Sequence, residues 1–248
     1  MRALALALIL AAAPASADVQ NVKFRGYAYD LGSGKFLYNE LHEQHLDNGR
    51  WLGGTITYFA PDGGLIGKKT LDFSADPFVP VFRLDLKTHG GYSEAITSVT
   101  SARIEMEKKP YGTTEVQHES IAHPRVATAD SGFHVFIREH FQDLLAGKTI
   151  EFTFVVAGNL DAYKFRASRL PDTTFEGKPA VRFRVEPDSF LRWLVDPLEL
   201  TYDPEQRKLL EYHGVSNLHD PATGKAYNAR IIYPSSPPAD APPLPAGY

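Results

Sequence analysis

The chain has 248 residues, 43% of them hydrophobic, with 30 acids set against 26 Lys and Arg and a formal net charge of −4. That is enough apolar material for a packed core, and the charge balance gives no ground for nucleic-acid binding. The absence of cysteine excludes disulfides, a thiolate nucleophile and any Cys-ligated metal.

The chain opens on Met1-Arg2, continues through an apolar stretch from Ala3 to Ala13 and reaches Ala15-Ser16-Ala17. A charged start, a short apolar middle and an A-x-A pattern predict a signal peptide over residues 1–17 and a periplasmic or secreted address. The apolar run is too short to span a bilayer, and no later segment has the length, so the mature protein is expected to have no membrane span. Residues 18–233 then read as a single β-rich domain.

From Lys23 onward, strand-like runs alternate with turn signals such as Gly32-Ser33-Gly34, Pro61-Asp62-Gly63-Gly64, Gly90-Gly91 and Glu176-Gly177. Early among them, Leu41-His42-Glu43-Gln44-His45 is one residue short of the helical zinc motif H-E-x-x-H. Its surroundings, Phe36 to Leu41, look like a strand, where residues three apart point to opposite faces. The expectation is therefore solvated strand residues, with Glu40 and His42 on one face and Glu43 and His45 on the other. Phe82, Leu84 and Leu86 alternate with Arg83, Asp85 and Lys87, as expected for a sheet wet on one side and dry on the other. From Lys108 to Ala129 the pattern predicts loop with at most one short strand. His118, Glu119 and His123 fit neither a helix face nor a zinc-loop spacing.

Phe133 to Gly147 predicts one long amphipathic helix, capped by Asp130 or Ser131 and stopped by Gly147. Phe133, Phe136, Ile137, Phe141, Leu144 and Leu145 share one broad arc at helical spacing. His140 falls inside that arc and His134 near its margin. After it, Thr149–Val156, Val181–Glu186 and Leu198–Asp203 alternate as strands. Lys164, Arg166, Arg182 and Arg184 lie on polar faces within reach of Glu151, Glu186 and Glu199, which predicts a charge-balanced surface. Ser189 to Val195, which includes Trp193, reads as a short helix capped by Asp188 or Ser189. Ile56–Leu65 and Leu200–Leu209 both read as hairpins. Gly214-Val215-Ser216-Asn217-Leu218 lacks the second glycine of a nucleophile elbow and reads as turn chemistry at a strand end. Residues 234–248 hold six prolines, which predicts a disordered, partly extended tail.

Two segments carry a resemblance to uncharacterised secreted proteins of Gram-negative bacteria. They are Phe133–Lys148 followed by a strand, and the closing Leu209–Leu218 with Ala229–Tyr233. The hairpin Thr201–Leu210 is also distantly similar to one in the periplasmic lipoprotein-carrier fold. That resemblance implies a curved antiparallel half-barrel closed by helices around an apolar cavity.

The resulting expectation is a mainly β (α+β) protein, with a curved antiparallel sheet and one main helix on its concave face. The expected function is periplasmic binding of an apolar ligand, a lipid or acyl chain, as carrier or chaperone, without catalysis or cofactor. Phe133, Phe136, Ile137, Arg138, His140, Phe141, Leu144 and Trp193 are the candidate ligand-binding residues. Two alternatives stand beside it: a hydrolase or metal enzyme whose His, Asp and Glu converge in space, and a structural or adaptor protein of the envelope with an unnamed protein partner. An outer-membrane barrel is a minor fourth reading, disfavoured by the charged polar faces.

Overall fold

The structure is a computed structural model that describes residues 19–188, 196–221 and 223–248. The predicted signal peptide and the predicted helix over Ser189–Val195 lie outside these residues.

Eight strands come first: β1 (Val19–Asp30), β2 (Phe36–Asp47), β3 (Arg50–Phe59), β4 (Leu65–Asp72), β5 (Val81–Leu86), β6 (Tyr92–Val99), β7 (Arg103–Lys109) and β8 (Gln117–Ala122). β9 (Ala127–Ala129) leads into α1 (Gly132–Glu139) and α2 (Phe141–Leu145). Then follow β10 (Ile150–Val156), β11 (Asp161–Phe175), β12 (Lys178–Pro187), β13 (Leu198–Tyr202), β14 (Leu209–His219) and β15 (Ala226–Ile232). All fifteen form one large, curved, unclosed sheet in the order β8-β7-β6-β5-β4-β3-β2-β1-β15-β14-β13-β12-β11-β10-β9.

This order has a simple logic. The chain starts in the middle at β1, meanders to one edge at β8, and reappears at the opposite edge as β9. It then meanders back until β15 pairs with β1. Only residues 123–126 separate β8 from β9. Five Cα steps reach no more than about 18 Å, so the two edges of a fifteen-stranded sheet are tethered close together and the sheet has to curl. Backbone bonds fix both ends of the tether: His123 N–H donates to Ala102 O (2.8 Å) and Thr153 N–H to Val126 O (2.9 Å).

Every pairing is antiparallel except β9 with β10. Parallel neighbours cannot be joined by a hairpin and need a crossover, usually helical. Residues 130–149 are that crossover, which explains why a β chain keeps helices at all. One continuous helix was expected; two short segments meet at His140, whose φ and ψ of −89° and 12° break the rod. His140 N–H still donates to Phe136 O (3.1 Å) and Leu144 N–H to His140 O (3.0 Å), so both segments stay bonded through the break. Neither predicted cap residue bonds as expected: Ser131 occupies the N-cap without a side-chain capping bond. Gly147 does end the crossover, at φ 80°.

The apolar arc is used fully. Phe133, Phe136, Ile137, Phe141 and Leu144 pack with Phe152, Ala167, Phe183, Val185, Leu200 and Tyr202 from β10 to β13. Phe141 meets Phe183 edge-on at 5.3 Å, and Phe136 lies 5.1 Å from Phe152; such aromatic pairs contribute about 0.5–1.5 kcal/mol beyond area burial. A second cluster joins Ile56, Tyr58, Phe82, Leu84, Ile96 and Ile104 on one flank to Ala127, Ala129 and Val155 on the other. The two flanks of the curled sheet thus share one core.

Between Lys108 and Ala129 the structure has more strand than expected. β7 runs to Lys109, and β8 and β9 follow. β8 is an edge strand whose Gln117, His118 and Glu119 are exposed, so it lacks the buried face that produces a readable alternation. Ser216-Asn217, expected at a strand end, lies inside β14 where the register shifts between Val215 and His219. Both hairpins form: Gly63 N–H donates to Ala60 O, and Asp203 N–H to Lys208 O. The cross-strand charge pairs also form, Arg166 with Glu186 and Arg184 with Glu199 (3.0 Å).

Residues 234–248 contain no helix or strand, and they lie against the sheet. The Tyr29 hydroxyl donates to Asp240 Oδ1 (3.0 Å), and the Tyr248 ring packs 4.7 Å from Phe59. Burial, then the bond to Asp240, pushes the Tyr29 hydroxyl up to about 12. Asp240→Ala is expected to cost about 1 kcal/mol of unfolding free energy, the worth of one such bond, and to move one phenol titration to lower pH. Urea denaturation and absorbance at alkaline pH check both.

Candidate functional site

The site begins with strand alternation on β2. Glu40 and His42 point to the same face, and the opposing positions on β1 are Gly26 and Phe24. They were expected to be solvated. Both are buried, with 6% and 7% of their surface exposed, because β1 and β2 sit in the middle of the sheet and are covered on both faces. Glu40 Oε2 accepts from His42 Nε2 (2.8 Å) and from the Tyr233 hydroxyl (3.0 Å). Phe24 stacks on the His42 ring at 4.4 Å. Gly26 makes the arrangement possible: a Cβ there would stand 2.7 Å from the Tyr233 ring and 2.8 Å from Glu40 Oε2. His42 Nδ1 is buried without a hydrogen-bond partner among the described residues. Burial, then the Glu40 charge, raises the Tyr233 hydroxyl well above the ordinary tyrosine range, which keeps it a donor.

A second charged group faces the same hollow from β4 and the start of the crossover. Lys69 Nζ donates to Asp130 Oδ2 at 2.5 Å, with side chains only 4% and 3% exposed. Asn217 Nδ2 donates to the same oxygen (2.8 Å), while Ser131 donates to Asp130 Oδ1 through its backbone N–H and its hydroxyl. The carboxylate is thus held by three residues besides its own. Asp130 takes φ 43°, a left-handed conformation that Asp tolerates better than most residues.

A third group lies on α1. His134 Nδ1 is 3.0 Å from the Tyr202 hydroxyl, and the two rings stack. Burial, then the Arg138 charge, pushes His134 down to about 3, so the imidazole is neutral at neutral pH. Burial raises Tyr202, so its hydroxyl stays protonated.

These groups line one cavity of about 610 Å³. Its apolar wall comes from Phe24, Trp51, Ile56, Phe133, Phe154 and Leu200. Arg138, Arg207 and Lys208 line it from the end of α1 and the β13–β14 hairpin. A smaller hollow of about 480 Å³ lies between the tail and β11 to β15; threonines and charged residues line most of it.

Of the residues singled out from the sequence, Phe133 and Arg138 line the cavity. Phe136, Ile137, Phe141 and Leu144 are buried between the helical crossover and β10 to β13. His140 sits at the helix break with its ring 4.4 Å from Phe136. Trp193 lies outside the described residues. Glu40, His42, Lys69, Asp130, Asn217, Tyr202 and Tyr233 were not foreseen as site residues. One signal pointed to Lys69: in Gly67-Lys68-Lys69-Thr70-Leu71 it falls in phase with the inward-facing Leu71.

Among the described residues, no group of three or more His, Asp or Glu side chains is placed to hold a metal. His118 instead meets Glu107, and His123 meets Asp76. Among the described residues, no helix is long and apolar enough to cross a membrane. No family model, curated protein or solved structure matches this chain.

Proposed function

We propose that this is a periplasmic protein that binds one apolar ligand, a lipid or acyl chain, as carrier or chaperone, and that catalyses no reaction. In this reading the crossover helices sit in the hollow of the curved sheet, and the ligand lies between α1 and strands β1 to β4 and β13 to β15. The observation that carries the reading is the cavity. Its volume of about 610 Å³ falls inside the range of about 300–1,000 Å³ usual for small-ligand sites, and its mix of aromatic walls with a few placed polar groups is the usual lining.

The buried polar groups suit binding better than turnover. Asp130 and Glu40 are each already neutralised or hydrogen-bonded within the protein. Ser216, the nearest thing to a sequence-suggested nucleophile, has its Oγ 2.6 Å from the Tyr38 hydroxyl, and it accepts from the Leu218 N–H (3.0 Å). Among the described residues, no His, Asp or Glu hydrogen-bonds that hydroxyl, so no base is in place to activate it.

Native mass spectrometry of the protein purified from the cell envelope is expected to show a co-purifying lipid. A fluorescent fatty acid should bind the delipidated protein at one site. Leu209 is a half-buried residue of the cavity wall, so Leu209→Trp is expected to fill part of the space and weaken that binding about tenfold, the order of a ~1.4 kcal/mol clash. A clean apo mass together with no probe uptake would remove the proposal. N-terminal sequencing of the exported protein, expected to start at Asp18, tests the address.

A further inference from the structure

The cavity lining is uneven in charge. Of its two carboxylates, Asp130 is paired with Lys69, and Glu40 holds His42 and Tyr233. Lys23 reaches the lining too, but its ammonium pairs with Glu43. Three cations are left: Arg138 on α1, and Arg207 and Lys208 on the β13–β14 hairpin. Among the described residues, none of the three makes an ion pair. The hairpin that carries Arg207 and Lys208 is fastened to the end of α1, because Arg207 Nη1 donates to the Arg138 backbone carbonyl (3.3 Å) while its guanidinium lies 5.6 Å over the Phe141 ring.

Ordinary structural reasons account for only part of this. Arg138 is in the last turn of α1, where a cation offsets the helix dipole, and Arg207 satisfies a carbonyl at the helix end. Neither reason explains three unneutralised positive charges at one side of an apolar cavity, in a chain whose net charge is negative. Neighbouring like charges raise each other's energy unless an anion joins them. The Arg138 charge is also felt inside, since it adds to the burial that pushes His134 down and offsets part of the rise that burial causes at Tyr202.

We propose that the ligand is a single-chain anionic amphiphile, with its carboxylate or phosphate head against Arg138, Arg207 and Lys208 and its chain along Phe133, Ile56 and Phe24. This rests on the binding reading above and names the ligand class. Guanidinium groups suit the head because their planar donors match the oxygens of carboxylate and phosphate.

The test uses the full mature chain and two probes of one polyene chain, parinaric acid and its methyl ester. The acid is expected to bind at least tenfold more tightly than the ester at low salt, with the gap narrowing as salt screens the exposed cations. The triple variant Arg138→Gln, Arg207→Gln, Lys208→Gln is expected to bring the acid down to the ester's affinity and leave the ester unchanged. Lys208→Gln alone, at an exposed position, should lower acid affinity two- to threefold without a change in the unfolding midpoint, so the inference does not depend on the triple variant folding. Displacement by dodecyl phosphate against displacement by laurate ranks the two heads. Equal binding of acid and ester overturns the inference and leaves the binding reading intact. An acid preference that survives the triple variant also overturns it, and failure of both probes to bind removes the binding reading itself.

Discussion

Lys69→Met is expected to lower the free energy of unfolding by about 3–5 kcal/mol, as removal of one partner from a buried ion pair usually does. The lysine and Asp130 are both almost wholly withdrawn from water. Without Lys69, the carboxylate keeps the donors from Asn217 and Ser131 but loses its counter-charge. Asp130→Asn should be costly for the mirror-image reason, since it leaves an ammonium stranded beside the Phe82 ring. Asparagine also tolerates the left-handed backbone there, which makes it a cleaner probe than alanine. The double variant Lys69→Met, Asp130→Asn is expected to be at least about 2 kcal/mol more stable than the sum of the two singles predicts, the coupling typical of contacting charges. Urea denaturation at pH 7 measures all four chains. A Lys69→Met cost below about 1 kcal/mol, the value typical of an exposed pair, would place the pair in contact with water and contradict the structure. The pair also matters for the site: Asp130 is the first residue of the crossover, so its anchoring to β4 sets where α1, with Phe133, His134 and Arg138, enters the cavity.

How much of this was legible in the sequence depended on how many faces of each element are covered. β5 and β12 are wet on one face, and their alternation put Phe82, Leu84, Val181, Phe183 and Val185 inward, where they are buried. Hairpin turns were legible because Asp62 and Asp203 bond to backbone amides only two or three residues away. β2 is covered on both faces, so Tyr38, Asn39, Glu40, Leu41 and His42 are all buried in succession; no period-2 pattern can report that, and the Glu40–His42 pair was read as solvated. At β8 the opposite holds, because an edge strand with exposed polar residues looks like loop. The helical arc was visible, yet the break at His140 was not. Nor does local patterning tell which members of the arc pack on strands and which reach a cavity: Phe136 and Phe141 went to packing, Phe133 and Arg138 to the cavity lining. The tethering of β8 to β9 is a property of the whole strand order, and no window of sequence contains it.

Acidification is expected to destabilise the protein from about pH 6.5 downward, and His134 accounts for a distinct part of that loss. The imidazole is held at about 3 by burial first, then by the Arg138 charge, with a smaller push from His42 on β2; the Tyr202 hydroxyl on β13 faces it as a neutral partner. The unfolded chain takes up a proton on this residue near pH 6.5, the ordinary value, and the folded chain does so only near 3. Between those limits the unfolded state binds more protons, so stability is complete above pH 6.5 and falls as pH drops toward 3. At about 1.4 kcal/mol per pH unit, the loss on reaching pH 4 is on the order of 3 kcal/mol. Carboxylates such as Glu43 and Asp143, held below their ordinary values by Lys23 and Lys148, add their own acid loss at lower pH. The comparison that isolates the histidine is therefore wild type against His134→Gln, which retains an acceptor for Tyr202. The variant's stability should decline less between pH 7 and pH 4, by about the same 3 kcal/mol, and identical declines in the two chains would show that His134 is open to solvent. Arg138 connects this to the ligand. Arg138→Gln relieves part of the pressure on His134, raises its folded pKa and makes the acid decline shallower. An anion seated against Arg138 acts in the same direction, so the ligand-loaded protein should resist acid better than the empty one, and by linkage the anionic ligand should bind more tightly as His134 gains its proton.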